Sequence, residues 1–488
     1  YDPIREEWWA LGDRGPGGGV LDYQTRVQRI ALDVDHLTGR ISRFRVLKTV
    51  QFTDPFGLLS APDSALPIAR KRALNGLNPL LLNSDAAELG RSFDPEGLVI
   101  DPKTGHFLVS DEYGPSLYEF DRKGRLIFVF ETPANLVPRL NGTANYVAVR
   151  DDCASPNSCL GRQDNRGFEG LAITPDGKRL YAVLQDPLVE EPPARDGRNG
   201  RNVRIVVFDN DPESPSFGTS VAQYAYQLEL QSRIRDRILT VPQSTATNTD
   251  PRQGRNIGLS AIVALNGKEF LVLERDNRGI GVDNPGGNGI DPATGKIFAL
   301  GVVGSKRVYK IQVEDATSDV SGIANLNPTS DGALPPGVVP VTKSSEDTPF
   351  IDLAAHTLLP NGNQAEKWEG LAIGPRLRFG AYSLVAGNDN DFSVTQLGGS
   401  LTQFESYVDF AGSYARCPLG ETTGCELNGD GVDTGDFTFD VPEGYGLLPG
   451  MLHAYRASAS DLAGYVAPRR DRGHRDHDCD RDRPKSRR

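Results

Sequence analysis

Along RSFDPEGLVIDPKTGHFLVSDEYG (Arg91 to Gly114) two short apolar runs, Leu98 to Ile100 and Phe107 to Val109, flank a polar turn at Asp101 to Gly105. Such a pattern predicts a β-hairpin. Antiparallel pairing sets the start of one strand beside the end of the next, so Glu96 and the acids Asp111 and Glu112 are expected on one edge. The pattern recurs. RGFEGLAITPDGKRLYAVLQD (Arg166 to Asp186) opens on Glu169 and closes on Gln185 and Asp186; RNIGLSAIVALNGKEFLVLERD (Arg255 to Asp276) has Gly258 in the opening place and closes on Glu274 and Asp276. From Lys367, KWEGLAIGP opens on Glu369 and the second strand ends at Asn388, Asp389, Asn390 and Asp391. The start of the chain, YDPIREEWWALGDRGP, matches the second half of the unit, with Asp13-Arg14 in the place of Asp111-Glu112. Five copies are visible, the first without its leading strand.

Further strand patterns follow most hairpins: Val27 to Asp35 and Phe44 to Phe52, Ser116 to Asp121 and Leu126 to Pro133, Val203 to Asp211 and Ala222 to Leu230, Lys306 to Asp315, and Leu401 to Phe410. Units of four sequential antiparallel strands that cannot bury both faces alone predict an all-β protein, a single β-propeller of six four-stranded blades spanning residues 1–467. Patterning weakens over 411–467. Long loops interrupt the units: Glu190 to Asn202 reads as a surface excursion and Ala316 to Pro349 as a mobile insertion. A short helix is expected near Ser64 to Leu74. Residues 468–488, rich in Arg and Asp with almost nothing apolar, read as a disordered tail.

Composition changes this picture little. The 488-residue chain is 38% hydrophobic and 8% aromatic, ordinary for a loop-rich β protein. Its net charge of −12 disfavours a nucleic-acid partner, which requires a basic face. No apolar run of about 18 residues is present to span a membrane, and a monomer is expected. Cys153 with Cys159, and Cys417 with Cys425, are closely spaced in Gly/Pro/Asn-rich loops without His partners, which reads as two short disulfides and hence a secreted or periplasmic location. The chain begins at Tyr1, so a signal peptide would lie upstream. Asn141-Gly142-Thr143 is a glycosylation acceptor in a eukaryotic secretory pathway.

Candidate chemistry follows from the hairpin edges. If each leading strand lines a central channel, Glu96, Glu169 and Glu369 converge at one mouth with Asp13, Asp111, Glu112, Asp186, Glu274, Asp276, Asn388, Asp389 and Asp391. Oxygen-only donors on several loops select a hard cation, Ca²⁺ before Mg²⁺. The structural alternative is that these acids hold backbone N–H groups of neighbouring blades. Arg14, Arg91, Arg166, Arg255, Arg275, Arg278 and Lys367 flank the acids. They either neutralise them or, with a metal, hold an anionic ester. No GxSxG, HExxH or CxxC motif occurs. A separate stretch, ELNGDGVDTGDF (Glu426 to Phe437), resembles an EF-hand calcium loop one residue short; an Asp/Gly-rich turn is the other reading.

FDPEGLVID, GFEGLAITPDG, VLERDNRG, KWEGLAIGP and WWALGDRGP resemble the phytase-like family, "esterase-like activity of phytase", over roughly residues 1 to 410. The resemblance implies a β-propeller related to the alkaline phytases, which use Ca²⁺ to hydrolyse phosphate esters. By motif it implicates Glu96, Asp111, Glu112, Glu169, Glu274, Asp276 and Glu369. The chain lacks the Asp-Asp-Pro-Ala stretch of the alkaline phytases and has Gly258 in place of an opening acid. The expectation is a Ca²⁺-dependent hydrolase of small anionic esters: metal ligands Glu96, Asp111, Glu112, Glu169, Asp186, Glu274, Asp276, Glu369 and Asp389, with Glu169 as base and Arg91, Arg166 and Arg255 on the anion. A non-catalytic binding propeller and a single-Ca²⁺ lactonase are the alternatives.

Overall fold

A computed structural model of the chain describes residues 1–59, 73–147, 153, 158–239, 257–276, 305–356, 365–396, 402–409, 414–427 and 436–469. Every strand pair among them is antiparallel, and the protein is all-β with only short helices. The sequence repeats become sheets. Pro95–Ile100, Phe107–Asp111, Ser116–Phe120 and Leu126–Val129 form one four-stranded meander. Phe168–Ile173, Arg179–Leu184, Asn202–Asp209 and Ser220–Gln227 form the next. Gly258–Ala264, Glu269–Arg275 and Lys306–Gln312 form a third, extended by the short strands Thr342–Lys343 and Ile351–Asp352. Two flanking sheets have three strands each: Trp8–Leu11 with Arg26–Val34 and Ile41–Gln51, and Trp368–Arg376 with Tyr382–Asn388 and Leu452–Ala457.

Trp8–Leu11 of the first sheet and the leading strands of the other four wall one shared cavity. Neighbouring sheets bury their facing residues against each other. Phe93 and Phe107 pack on Val50 and Phe52 of the first sheet, Leu108 and Leu117 share a core with Leu171, and Ala261 and Leu273 share another with Trp368 and Leu384. Trp8 and Ile30 pack against Val385, which brings the first sheet onto the last. The Glu-Gly-Leu motif has a steric reason here. A Cβ on Gly97 would stand 2.6 Å from the backbone nitrogen of Leu171, and one on Gly170 would stand 2.8 Å from that of Ile262. These glycines let one leading strand lie directly against the next. Gly170→Ala is therefore expected to cost about 1–3 kcal/mol by overpacking. Urea unfolding measures it, and an unchanged midpoint would show that the strands have slack.

Several expectations are corrected. Among the described residues five sheets contribute to the cavity wall. Gln403–Val408 does not continue the last of these sheets; it belongs to a separate sheet with Val394–Gln396, Tyr414–Pro418, Glu426–Leu427 and Gly446–Leu447, and the third strand is Leu452–Ala457. The insertion from Ala316 is anchored, with Val320, Leu326 and Asn327 buried and Asn327 bonded to Asn202 and Glu191. Glu191 lies at the bottom of that junction, paired at 2.5 Å with fully buried Arg204. Trp8–Leu11 runs opposite to the other leading strands. Its start lies by the Gly105 turn, where Arg5 approaches, and its end brings Asp13 beside Asp94 and Glu96.

Cys153–Cys159 and Cys417–Cys425 are disulfides. The expected helix near Ser64 to Leu74 falls almost wholly outside the described residues. So do most of the EF-hand-like loop, Arg255, and the tail beyond residue 469. No helix among the described residues is long and apolar enough to cross a membrane.

Candidate functional site

Strand alternation decides which acids reach the mouth. Asp111, Leu184, Glu274 and Asn388 pair with Pro95, Phe168, Leu259 and Trp368. The next residue in each case, Glu112, Gln185, Arg275 and Asp389, lines a polar cavity of about 340 Å³ at one end of these strands. Side chains one position apart point to opposite sides, so the closing pairs of the repeat are split. On the opening side the leading strands of four sheets carry a bulge, between Pro95 and Leu98, Phe168 and Gly170, Leu259 and Ala261, and Trp368 and Gly370, whereas Trp8–Leu11 pairs without one. The bulge re-aims one side chain. In three sheets that is Glu96, Glu169 and Glu369, all on the polar cavity. In the fourth it is Ser260, not Gly258, and its hydroxyl accepts from Arg275 Nε at 2.7 Å.

The cavity therefore gathers Glu96, Glu112, Glu169, Glu369, Asp389, Asp13 and Asp391 with Arg14, Arg166, Arg275 and Lys367. Arg275 spans the centre, paired with Glu369 and 3.6 Å from Glu169. Lys367 pairs with Asp391 and lies 3.7 Å from Asp389. Arg166 is held by Asp186 at 3.2 Å, and Arg14 by Asp94 at the same distance. Seven carboxylates line the cavity against four cations. The surplus sits in two groups that share Asp13: Asp13, Asp94 and Glu96, and Asp13, Asp389 and Asp391, each with oxygens within 4.8 Å of one another. Glu112 Oε1 is buried without a hydrogen-bond partner.

Burial and mutual repulsion move these acids far from their ordinary range. Burial first, then the charges of Asp389 and Asp94, holds the Asp13 carboxyl well above it. Glu96 is raised by burial and then by Glu169, and Glu169 by burial and then by Glu112. Asp94 is pushed up to about 8 by burial that outweighs Arg14, and Asp389 to about 7 by burial and Asp391.

Five expected site residues lie elsewhere. Asp111 is fully buried and spends its carboxylate on the hairpin end, accepting from the backbone N–H of Asp94, Tyr113 and Gly114 and from the Tyr118 hydroxyl. Glu274 faces the neighbouring sheet, where it takes the Tyr226 hydroxyl, the Glu229 N–H and the Lys343 ammonium at 2.5, 3.0 and 2.9 Å. Asp276 holds Lys306 at 2.8 Å. Asp186 stands behind the wall as the anchor of Arg166. Arg91 is buried beside Asp54, off the cavity. The sequence reading missed Asp94, two residues ahead of Glu96; the Asp-Pro before the Glu-Gly was the available signal.

The family model described as phytase-like, esterase-like activity of phytase, matches residues 1–392. The chain belongs to the phytase-like family. Another relative of this phytase-like chain, described as an uncharacterized secreted protein of Arthroderma benhamiae, is 27% identical over 441 residues, covering 80% of this chain and 79% of that protein. Among solved structures, a putative 6-phosphogluconolactonase from Bacteroides uniformis aligns over 92% of this chain and 85% of its own, at 11% identity and a TM-score of 0.28. The Malassezia sympodialis allergen Mala s 1 aligns over 75% of this chain and 93% of its own, at 10% identity and a TM-score of 0.26.

Proposed function

We propose that this phytase-like protein is an extracytoplasmic, Ca²⁺-dependent hydrolase of small anionic esters, built as a five-bladed propeller with its active site at the polar mouth. One observation carries the reading: the seven-to-four surplus of carboxylates over cations in a desolvated cavity, concentrated in two oxygen-only groups around Asp13. Buried like charges demand either protons or a cation. The disulfides and the secreted relative support the location.

Asp13, Glu96, Asp389 and Asp391, backed by Asp94, would hold the ion, and the unpartnered oxygen of Glu112 offers a further donor. A bound Ca²⁺ supplies Lewis-acid polarisation of an ester oxygen. Arg14 and Arg166 keep part of their guanidinium surface on the cavity while Asp94 and Asp186 fix them from behind, an arrangement that suits clamping an anion. Glu169, held well above its ordinary range by burial and then by Glu112, would take a proton from an attacking water only in its ionised form, which a bound cation and Arg275 at 3.6 Å favour. Turnover of p-nitrophenyl phosphate and p-nitrophenyl acetate, each with Ca²⁺ and with EDTA, tests this. Metal-dependent turnover of at least one is expected, and its absence on both would sink the reading. The bridge from Arg275 to both Glu169 and Glu369 favours the second reading, a binding site without hydrolysis; retained Ca²⁺-dependent affinity for methyl phosphate with no turnover would establish that one.

A further inference from the structure

Behind the polar mouth lies a second cavity with different chemistry. It runs down the axis of the ring, holds about 540 Å³, and is walled by all five leading strands through residues such as Leu98, Ile100, Leu171, Val263, Leu371 and Ile373. That volume is within the ~300–1,000 Å³ of small-molecule sites. Asp13, Glu96, Glu369 and Asp389 line both cavities, so the two meet at the mouth. Apart from Asp2, near the opposite end, these four are the only charged residues among those lining it. Leu98, Val99, Ile100, Val263 and Leu371, apolar residues of innermost strands, line this space and are only half-buried.

Gly370 marks the same feature. It lies in an innermost strand directly after Glu369, yet it is exposed, and a Cβ built there would meet only Gly387, at an ordinary 3.5 Å. Gly97 and Gly170, in the matching places, have no such room. The wall is thus recessed at one point just inside the mouth.

We propose that the axial cavity takes the aliphatic chain of an amphiphilic ester whose anionic group is held at the mouth. This deepens the proposed function and rests on it for the position of the anionic group. A hydrophilic polyanion would meet no cationic side chain among the residues lining the axial cavity, whereas a chain of methylenes would replace apolar surface in contact with water. Substrate class would then be set by the axis and reactivity by the mouth.

Binding of butyl, hexyl and octyl phosphate below their micelle-forming concentrations, measured calorimetrically on the full chain with Ca²⁺, tests this. Affinity is expected to rise roughly three- to fourfold per methylene. Val263→Phe, far from the mouth, should remove at least tenfold of the octyl advantage while leaving butyl phosphate within about twofold; Gly370→Phe, which fills the recess just inside the mouth, should weaken all three alkyl phosphates. Equal affinity for all three chain lengths, with short-ester turnover intact, overturns the proposal and leaves the catalytic reading standing. A chain-length slope without any turnover of short esters removes the catalytic reading and supports the axial site. Tighter binding of octylamine than of octyl phosphate would overturn the assignment of an anionic head.

Discussion

Replacing Asp13 by Asn is expected to lower Ca²⁺ affinity by at least about 100-fold, since even outer-shell partners of a metal cost about 10–100-fold when lost. Asp13 is the one residue common to both three-carboxylate groups, so its loss opens both. The sign of the stability change distinguishes this from simple damage. In EDTA the ionised carboxylate is a liability, because burial and the charges of Asp389 and Asp94 oppose it. Asn keeps the shape and removes the charge. The variant should melt at or above the native temperature in EDTA and below it in millimolar Ca²⁺, where the native chain gains about RT ln(1 + [Ca²⁺]/Kd), or ~2.7 kcal/mol at a hundredfold excess over Kd. Paired melting curves in the two conditions decide it. A variant that loses stability equally in both would show that Asp13 is a structural acceptor for the Gly15 N–H and nothing more.

The pH dependence of stability is expected to invert with metal. Asp94 and Asp389 sit at about 8 and about 7 in the folded chain, against 3.8 when unfolded, and Asp13, Glu96, Glu169 and Glu369 are raised as well. The folded state then holds protons that the unfolded state has released. Stability from these groups is present below about pH 4 and is lost as pH rises through the folded values, at about 1.4 kcal/mol per pH unit for each proton held. Metal-free protein should therefore lose several kcal/mol between pH 5 and pH 8. Ca²⁺ competes with those protons, so its stabilisation grows over the same window and flattens or reverses the slope. Melting temperature against pH, in EDTA and in Ca²⁺, gives the answer; superimposable curves would rule out a metal on these carboxylates.

Both expectations concern residues that the repeat made visible in part. The opening acids were legible because Glu-Gly before an apolar run recurs, and at Gly97 and Gly170 the glycine is required because the next leading strand lies against it. The closing acids were half legible. Clusters such as Asp111-Glu112 mark the right place, but sequence composition does not say which member faces the mouth. The register does, and it turns on bulges that shift each leading strand by one residue. For the same reason Gly258 looked like a lost acid when Ser260 occupies that position. Glu274 and Asp276 were drawn in by their type, although Tyr226, Lys343 and Lys306 already satisfy them.

By itself the sequence determined that the chain is a β protein of repeated hairpins, that four of its five cysteines pair locally, and that acids gather at the hairpin ends. All three depend on neighbours in the chain: alternation, turn residues and short loops. Only the tertiary structure decided how many sheets share the axis, that Leu452–Ala457 returns to pair with Tyr382–Asn388, and that the polar mouth opens onto an apolar interior. Those outcomes depend on which surfaces bury each other across long separations, and such contacts leave no periodic trace in the order of the residues.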